Sequence, residues 1–318
     1  MLLRAKIKEV YIFFNRLSQI RVFRLSIQGI ILSICIGYLI INFQNSIDLL
    51  TNIRINYLAL ASSLIATAIS VYLGAVGWGL ILKAVGEIIP RKESTQIHLS
   101  SNLAKYIPGY AWQLVGKAYL TNQAGASSSG IGIAMTLEII LLVVIGFGLV
   151  LIFLPDELIL DSLNLGFINN QINFFRALGI IILLIIPGVA SVSLKILRKF
   201  QAKNPLHYMA LFSASSVILA GWLFLGISFW LLGVAFLPIN ISEIPLFMFT
   251  LAASFLIGLA IIIVPGSIGV RESIMVYILT LFSIASPIAV LIATISRLTL
   301  AFSELSLYFI SKLSFQKR

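Results

Sequence analysis

Glu138 and Arg297 each stand near the middle of a long apolar run, nine residues into 130–154 and eleven into 287–311. A charge at such depth in a membrane helix costs roughly 2.5–3.5 kcal/mol unless a partner or water offsets it. Opposite signs at matched depths suggest that the two meet as an ion pair. Glu304 follows Arg297 by seven residues on nearly the same helical face, where it either reaches the interface or joins a polar path. Two further charged segments carry Pro-Gly. One runs Lys105, Tyr106, Ile107, Pro108, Gly109, then Trp112, Gln113 and Lys117. The other runs Pro265, Gly266, Ser267, Ile268, Gly269, Val270, Arg271, Glu272. Gly-rich backbone beside Arg is a natural cradle for an anion. Trp112 suits an interfacial anchor better than a binding platform.

These residues must be positioned by membrane helices. The chain is 60% hydrophobic and 10% charged, outside the range of soluble domains. Runs at 26–43, 57–82, 130–154, 177–194, 209–236, 244–264 and 287–311 are each long enough to span, since about 20 apolar residues suffice. The runs at 209–236 and 244–264 read as packing and lipid contact only.

A net charge of +11 would suit nucleic acid, but its distribution follows membrane topology. Arg4, Lys6, Lys8, Arg16, Arg21 and Arg24 precede the first run. Lys83, Arg91, Lys92, Lys105 and Lys117 follow the second, and Lys195, Arg198, Lys199 and Lys203 follow the fourth. Alternate connections are poor in Lys and Arg, which predicts a cytoplasmic N-terminus and no nucleic-acid partner. Residues 1–24 form a basic segment, either the flank of a signal-anchor or an interfacial helix on anionic headgroups. The single cysteine, Cys35, excludes an internal disulfide. His98 and His207 have no metal-ligand spacing, and no phosphate-binding loop of the Walker type is present, so neither a metal, a cofactor nor ATP hydrolysis is expected.

The two Pro-Gly segments lie 157 residues apart, and Tyr119-Leu120-Thr121 through Ala126-Ser127 matches Ile278-Leu279-Thr280 through Ala285-Ser286 at an offset of 159. The pattern predicts an internal repeat, with units about 93–154 and 244–311. Proline lacks an N–H and glycine permits positive φ, so each Pro-Gly should break a helix inside the bilayer. Residues 93–121 are expected as two short helices around a turn, and 271–283 as a short helix after the second break. The expected fold is all-α: a polytopic transmembrane bundle of seven or eight spans with two broken or re-entrant segments, occupying 25–311 ahead of a basic tail at 312–318. Broken helices of this kind line binding sites in transporters built from repeats.

The motifs Asn102-Leu103-x-Lys105-Tyr106-x-Pro108-Gly109 with Trp112, Gln113 and Lys117, and Pro265-Gly266-Ser267-x-Gly269-Val270-Arg271-Glu272 with Arg297, resemble the lysylphosphatidylglycerol synthase transmembrane region family, also called flippase-like. The resemblance runs from about residue 25 to 311; Ser267 stands where glycine is expected. It implies a lipid-translocating module without the aminoacyl-transferase domain of the bifunctional relatives, in the inner or plasma membrane, and no enzymatic activity. Lys105, Lys117 and Arg271 would then hold phosphate, while Glu138, Glu272 and Arg297 shape a polar path. The partners implied are membrane lipids, anionic or lipid-linked. Two other readings stay open: a carrier of a small anionic solute, and a non-transporting accessory of an envelope glycosyltransferase or lipid-modifying enzyme.

Overall fold

The computed structural model describes residues 54–106, 112–156, 169–197, 207–260 and 269–316. Among these residues every regular element is helical. In chain order the α-helices are α1 (Tyr57–Ala84), α2 (Arg91–Leu103), α3 (Trp112–Gln123), α4 (Ser128–Ile152), α5 (Asn169–Leu197), α6 (Tyr208–Phe236), α7 (Ile244–Ala260), α8 (Val270–Leu281) and α9 (Ser286–Gln316). A 3-10 turn, Ala104–Tyr106, continues α2, and another, Ile241–Glu243, leads into α7. By length and composition, five helical segments could cross a membrane: α1, α4, α6, α7 with its preceding turn, and α9. Four of the expected apolar runs map onto these with shifts of a few residues at the ends. The run at 244–264 corresponds to α7, which ends at Ala260. The expected first span, 26–43, lies outside the described residues, as do residues 1–24 and Cys35.

Local chemistry sets the helix ends. The Asn56 side chain accepts from Ala59 N–H at 3.1 Å and starts α1. Its end closes with Gly86 at φ 85°, letting Glu87 N–H reach back to Leu82 C=O at 2.9 Å. This left-handed closure satisfies carbonyls that the last turn leaves open. The closure recurs after both short helices. Ala126 N–H bonds Thr121 C=O around Gly125 (φ 94°), and Ile284 N–H bonds Leu279 C=O around Ser283 (φ 62°). Each 12-residue helix, α3 and α8, is thus followed by a tight turn and a long helix, α4 or α9. A 12-residue helix spans only about 18 Å, too short to cross a hydrocarbon core of about 30 Å.

The centre of the bundle is the pair α1–α6. Contacts run in opposite order along the two helices: Asn56 N–H to Ala235 C=O, Ser63 to Ser228, Ser70 Oγ to Gly221 C=O, and His207 N–H to Ala84 C=O. The helices are therefore antiparallel over their whole length. Small residues let the backbones approach, which matters because lipid tails supply no hydrophobic drive between helices. Two apolar cores flank this pair. One gathers Trp78, Leu137, Leu141, Ile145 and Trp222 from α1, α4 and α6; the other gathers Phe229, Phe247, Val276, Leu279 and Ile292 from α6 to α9. Between them α9 packs on α1 and α2, bringing the last long helix against the first short one.

Candidate functional site

Among the described residues, apart from the exposed Arg176–Asp156 pair, charged side chains collect in three contacts. In the first, Lys117 on α3 is only 2% exposed, and its ammonium lies 2.8 Å from both Glu138 carboxylate oxygens and 3.2 Å from His98 Nδ1. An ammonium has three N–H groups and no acceptor, so all three are engaged and His98 Nδ1 accepts. The Trp78 ring sits 4.5 Å beneath it. Asn102 lies 3.1 Å from His98 Nε2 and receives a 2.7 Å bond from Gln113. The chain of polar groups thus runs from α4 through α3 and α2.

The second contact pairs Arg297 on α9 with Glu272 on α8. Glu272 is 7% exposed, and its other oxygen, Oε2, has no hydrogen-bond partner. Gly269 caps α8 at φ 82°, a conformation that favours glycine, and places Arg271 and Glu272 in the first turn. The third contact joins distant parts of the chain. Lys105 Nζ lies 2.5 Å from Glu304 Oε1, and Tyr106 Oη donates to Glu304 Oε2 at 2.9 Å. Glu304 is 2% exposed, so it is buried rather than interfacial.

The Glu138–Arg297 pair expected from the sequence does not form. Each charge is met by its neighbour on the adjoining short helix, Lys117 for Glu138 and Glu272 for Arg297. The physical reason is reach. The tight turns after α3 and α8 fold each short helix back on the long one that follows, so the nearest opposite charge lies within the same segment of chain.

Arg271 differs from the other cations. Among the described residues it forms no salt bridge; its guanidinium stacks on Phe255 at 4.1 Å and its Nε has no hydrogen-bond partner. Arg297, Glu272 and Glu304 lie within electrostatic reach of it. Arg271 and Arg297 line a cavity of about 50 Å³. The remaining wall is mixed: Thr67 from α1, Trp222 and Ser228 from α6, Ser254 and Phe255 from α7, and Ser296 and Thr299 from α9. The runs at 209–236 and 244–264, expected only to pack and face lipid, therefore contribute polar wall. Trp222, Ser228 and Ser254 are buried and face this cavity, whereas Ser213 and Ser216 of α6 are exposed.

With this arrangement in place, the comparison with known families is decisive. The family model described as the lysylphosphatidylglycerol synthase TM region matches residues 26–303. The chain belongs to that family. No curated protein matches the chain. The segment matched to the lysylphosphatidylglycerol synthase TM region contains Lys105, Lys117, Glu138, Arg271, Glu272 and Arg297, and stops one residue short of Glu304.

Of the residues expected at a site in this family member, the structure gathers Lys117, Glu138 and Gln113 in one cluster, sets the Glu272–Arg297 pair beside Arg271 at the cavity, and joins Lys105 to Glu304. Trp112 is 50% exposed at the start of α3 and joins neither. Pro108, Gly109, Pro265 and Gly266 lie outside the described residues. His98, Asn102, Thr67, Trp222, Ser228 and Ser254 were not named as site residues, nor was Tyr106, although Asn102 and Tyr106 stand in the motifs that carry the family resemblance. A signal existed for the first two, because His98, Asn102 and Lys105 recur at intervals of four and three along one helical face. The residues of α6 and α7 carry no such signal, since isolated Ser and Trp are common in membrane helices.

Proposed function

We propose that this protein moves a lipid with a polar, anionic headgroup across the bilayer, the headgroup passing between the helices while its tails stay in lipid. The observation that carries this reading is the cavity lined by Arg271 and Arg297 among membrane-crossing helices. Charge at that position is costly and needs an occupant or a partner, and among the described residues Arg271 forms no salt bridge and its Nε no hydrogen bond. Membership of the lysylphosphatidylglycerol synthase TM-region family supports the same reading.

The roles divide differently from the sequence expectation. Lys117 has no free N–H, so it and Glu138 brace α3 against α4, whereas Arg271 is the cation that meets the headgroup. Arg297 and Glu272 set its surroundings. Ligand pockets usually measure about 300–1,000 Å³. A cavity of about 50 Å³ holds only a few waters, so this is a closed state that must open to admit a headgroup. On this reading the protein performs no chemical step. It resides in the inner or plasma membrane with its N-terminus in the cytoplasm and its two broken-helix units related by an internal repeat.

Reconstitution tests it. Vesicles holding the protein and fluorescent phosphatidylglycerol should lose leaflet asymmetry faster than empty vesicles, and Arg271→Gln should slow that loss. Uptake of a soluble anion with no lipid movement would favour a solute carrier. If neither moves, the translocase is refuted and the accessory role stands.

A further inference from the structure

We propose that Glu304 is a built-in counter-anion which holds the cavity shut, and that an incoming anionic headgroup opens it by competing for Lys105, the cation Glu304 holds. The proposal rests on the translocase reading and adds how the closed state is held. Arg271 and Arg297 line the cavity, Glu272 pairs with Arg297, and the Lys105–Glu304 pair lies one turn beyond Leu300 of the wall along α9. Glu272 is committed to Arg297, its neighbour on the adjoining helix. Glu304 in turn binds Lys105, which comes from a different helix, and so ties α9 to the turn that ends α2. Among the described residues Lys105, Arg271 and Arg297 outnumber Glu272 and Glu304, which favours entry of an anion into a low-dielectric interior.

The geometry shows which side can give way. Glu304 is carried by a continuous 31-residue helix packed on α1, α2 and α8. Lys105 and Tyr106 sit on a single 3-10 turn that ends α2, an element with poorer hydrogen-bond geometry than an α-helix. Both oxygens of Glu304 are held from that turn, so the contact adds a polar tie across 199 residues of sequence to the apolar packing of α2 on α9. An anion bound to Arg271 repels Glu304 and offers Lys105 an alternative partner. The turn then separates from α9 and the cavity widens. A ligand shifts such an equilibrium only through its different affinity for the two states, and the freed Lys105 supplies that difference.

Thiol accessibility in the full-length protein tests this without requiring transport. With Cys35 replaced by serine, Ser254→Cys places one thiol on the cavity wall. Its reaction with a small water-soluble methanethiosulfonate should be slow in phosphatidylcholine vesicles. Adding Glu304→Gln should speed it about tenfold, as expected when a population shifts toward the open form. Phosphatidylglycerol in the vesicles should speed it with Glu304 present and give no further gain in Glu304→Gln. Tyr106→Phe, which removes one of the two bonds to Glu304, should give a smaller gain and carries the test should Glu304→Gln not fold. A parallel arm with soluble sn-glycerol 3-phosphate in phosphatidylcholine vesicles separates two sources of the anion: acceleration there means the site is reached from water, and acceleration by the lipid alone means entry from the bilayer.

The proposal is overturned if neither variant changes the rate, or if the variants change it and no phosphate-bearing anion does, because Glu304 is then a static brace. Lipid movement with an unresponsive thiol refutes the latch and leaves the translocase standing. A responsive thiol without lipid movement does the reverse.

Discussion

Lys117 grips both oxygens of Glu138 at 2.8 Å from a helix that precedes it by one tight turn. The pair is nearly closed to solvent, with side chains 3% and 13% exposed. Breaking such a pair strands a charge, whereas replacing both members with apolar residues can be neutral. Lys117→Met alone should therefore destabilise the folded protein by about 3–5 kcal/mol. The double variant Lys117→Met with Glu138→Leu should recover most of that loss. Denaturant titration in detergent measures both, and additive losses would refute the account.

Arg271 and Arg297 should respond oppositely to the same change. Arg297→Gln leaves the buried Glu272 without its ion-pair partner and should cost about 3–5 kcal/mol of stability. Arg271→Gln strands no carboxylate, so its stability should stay within about 1 kcal/mol of the parent. Translocation by Arg271→Gln should nonetheless fall about tenfold or more, since a charge-assisted hydrogen bond contributes about 1.5–3 kcal/mol. Melting temperature and lipid flux, measured on the same preparations, check the contrast.

Two glycines in helix contacts should differ sharply on gaining a methyl group. A Cβ on Gly179 of α5 would lie 2.7 Å from Gly148 C=O and 3.0 Å from Ile152 N on α4, both backbone atoms. Gly179→Ala must push the helices apart and should cost about 1–3 kcal/mol. On Gly221 of α6 the nearest atom, Ser70 C=O, is 3.6 Å away, an ordinary contact. Gly221→Ala should fold with little change, measured by thermal denaturation in detergent.

The hydroxyl cluster of the α1–α6 pair should contribute modestly. Thr67 Oγ1 lies 2.6 Å from Ser228 Oγ, which also bonds Ser63 C=O at 2.9 Å. Hydrogen bonds between membrane helices average about 0.6 kcal/mol in double-mutant cycles, because partners are also found before the helices dock. A cycle of Thr67→Val and Ser228→Ala should give a coupling of that size. A value of several kcal/mol would mean that the cluster does more than join two helices.

Much of this arrangement was legible in the chain. The apolar run at 57–82 became a helix over Tyr57–Ala84, and that at 130–154 became Ser128–Ile152 with Ser127 as its cap. Short helices run over Arg91–Leu103, Trp112–Gln123 and Val270–Leu281, while the Pro-Gly residues between and before them lie outside the described residues. Which charge would meet which was not legible. Glu138 and Arg297 match in depth and differ in sign, yet the pairs formed are Lys117–Glu138 and Glu272–Arg297. Glu304 could equally have reached the interface; the turn carrying Lys105 and Tyr106 made it buried.

The amino-acid sequence by itself determined that this is a helical membrane protein and which residues carry unusual charge. Both follow from properties of single segments: apolar length against the thickness of a bilayer, and the cost of each ion placed there. Only the tertiary structure decided the partners of those ions and the wall of the cavity. Contacts such as Lys105–Glu304 span 199 residues, and their existence depends on how α2, α6 and α9 pack, which no local pattern encodes.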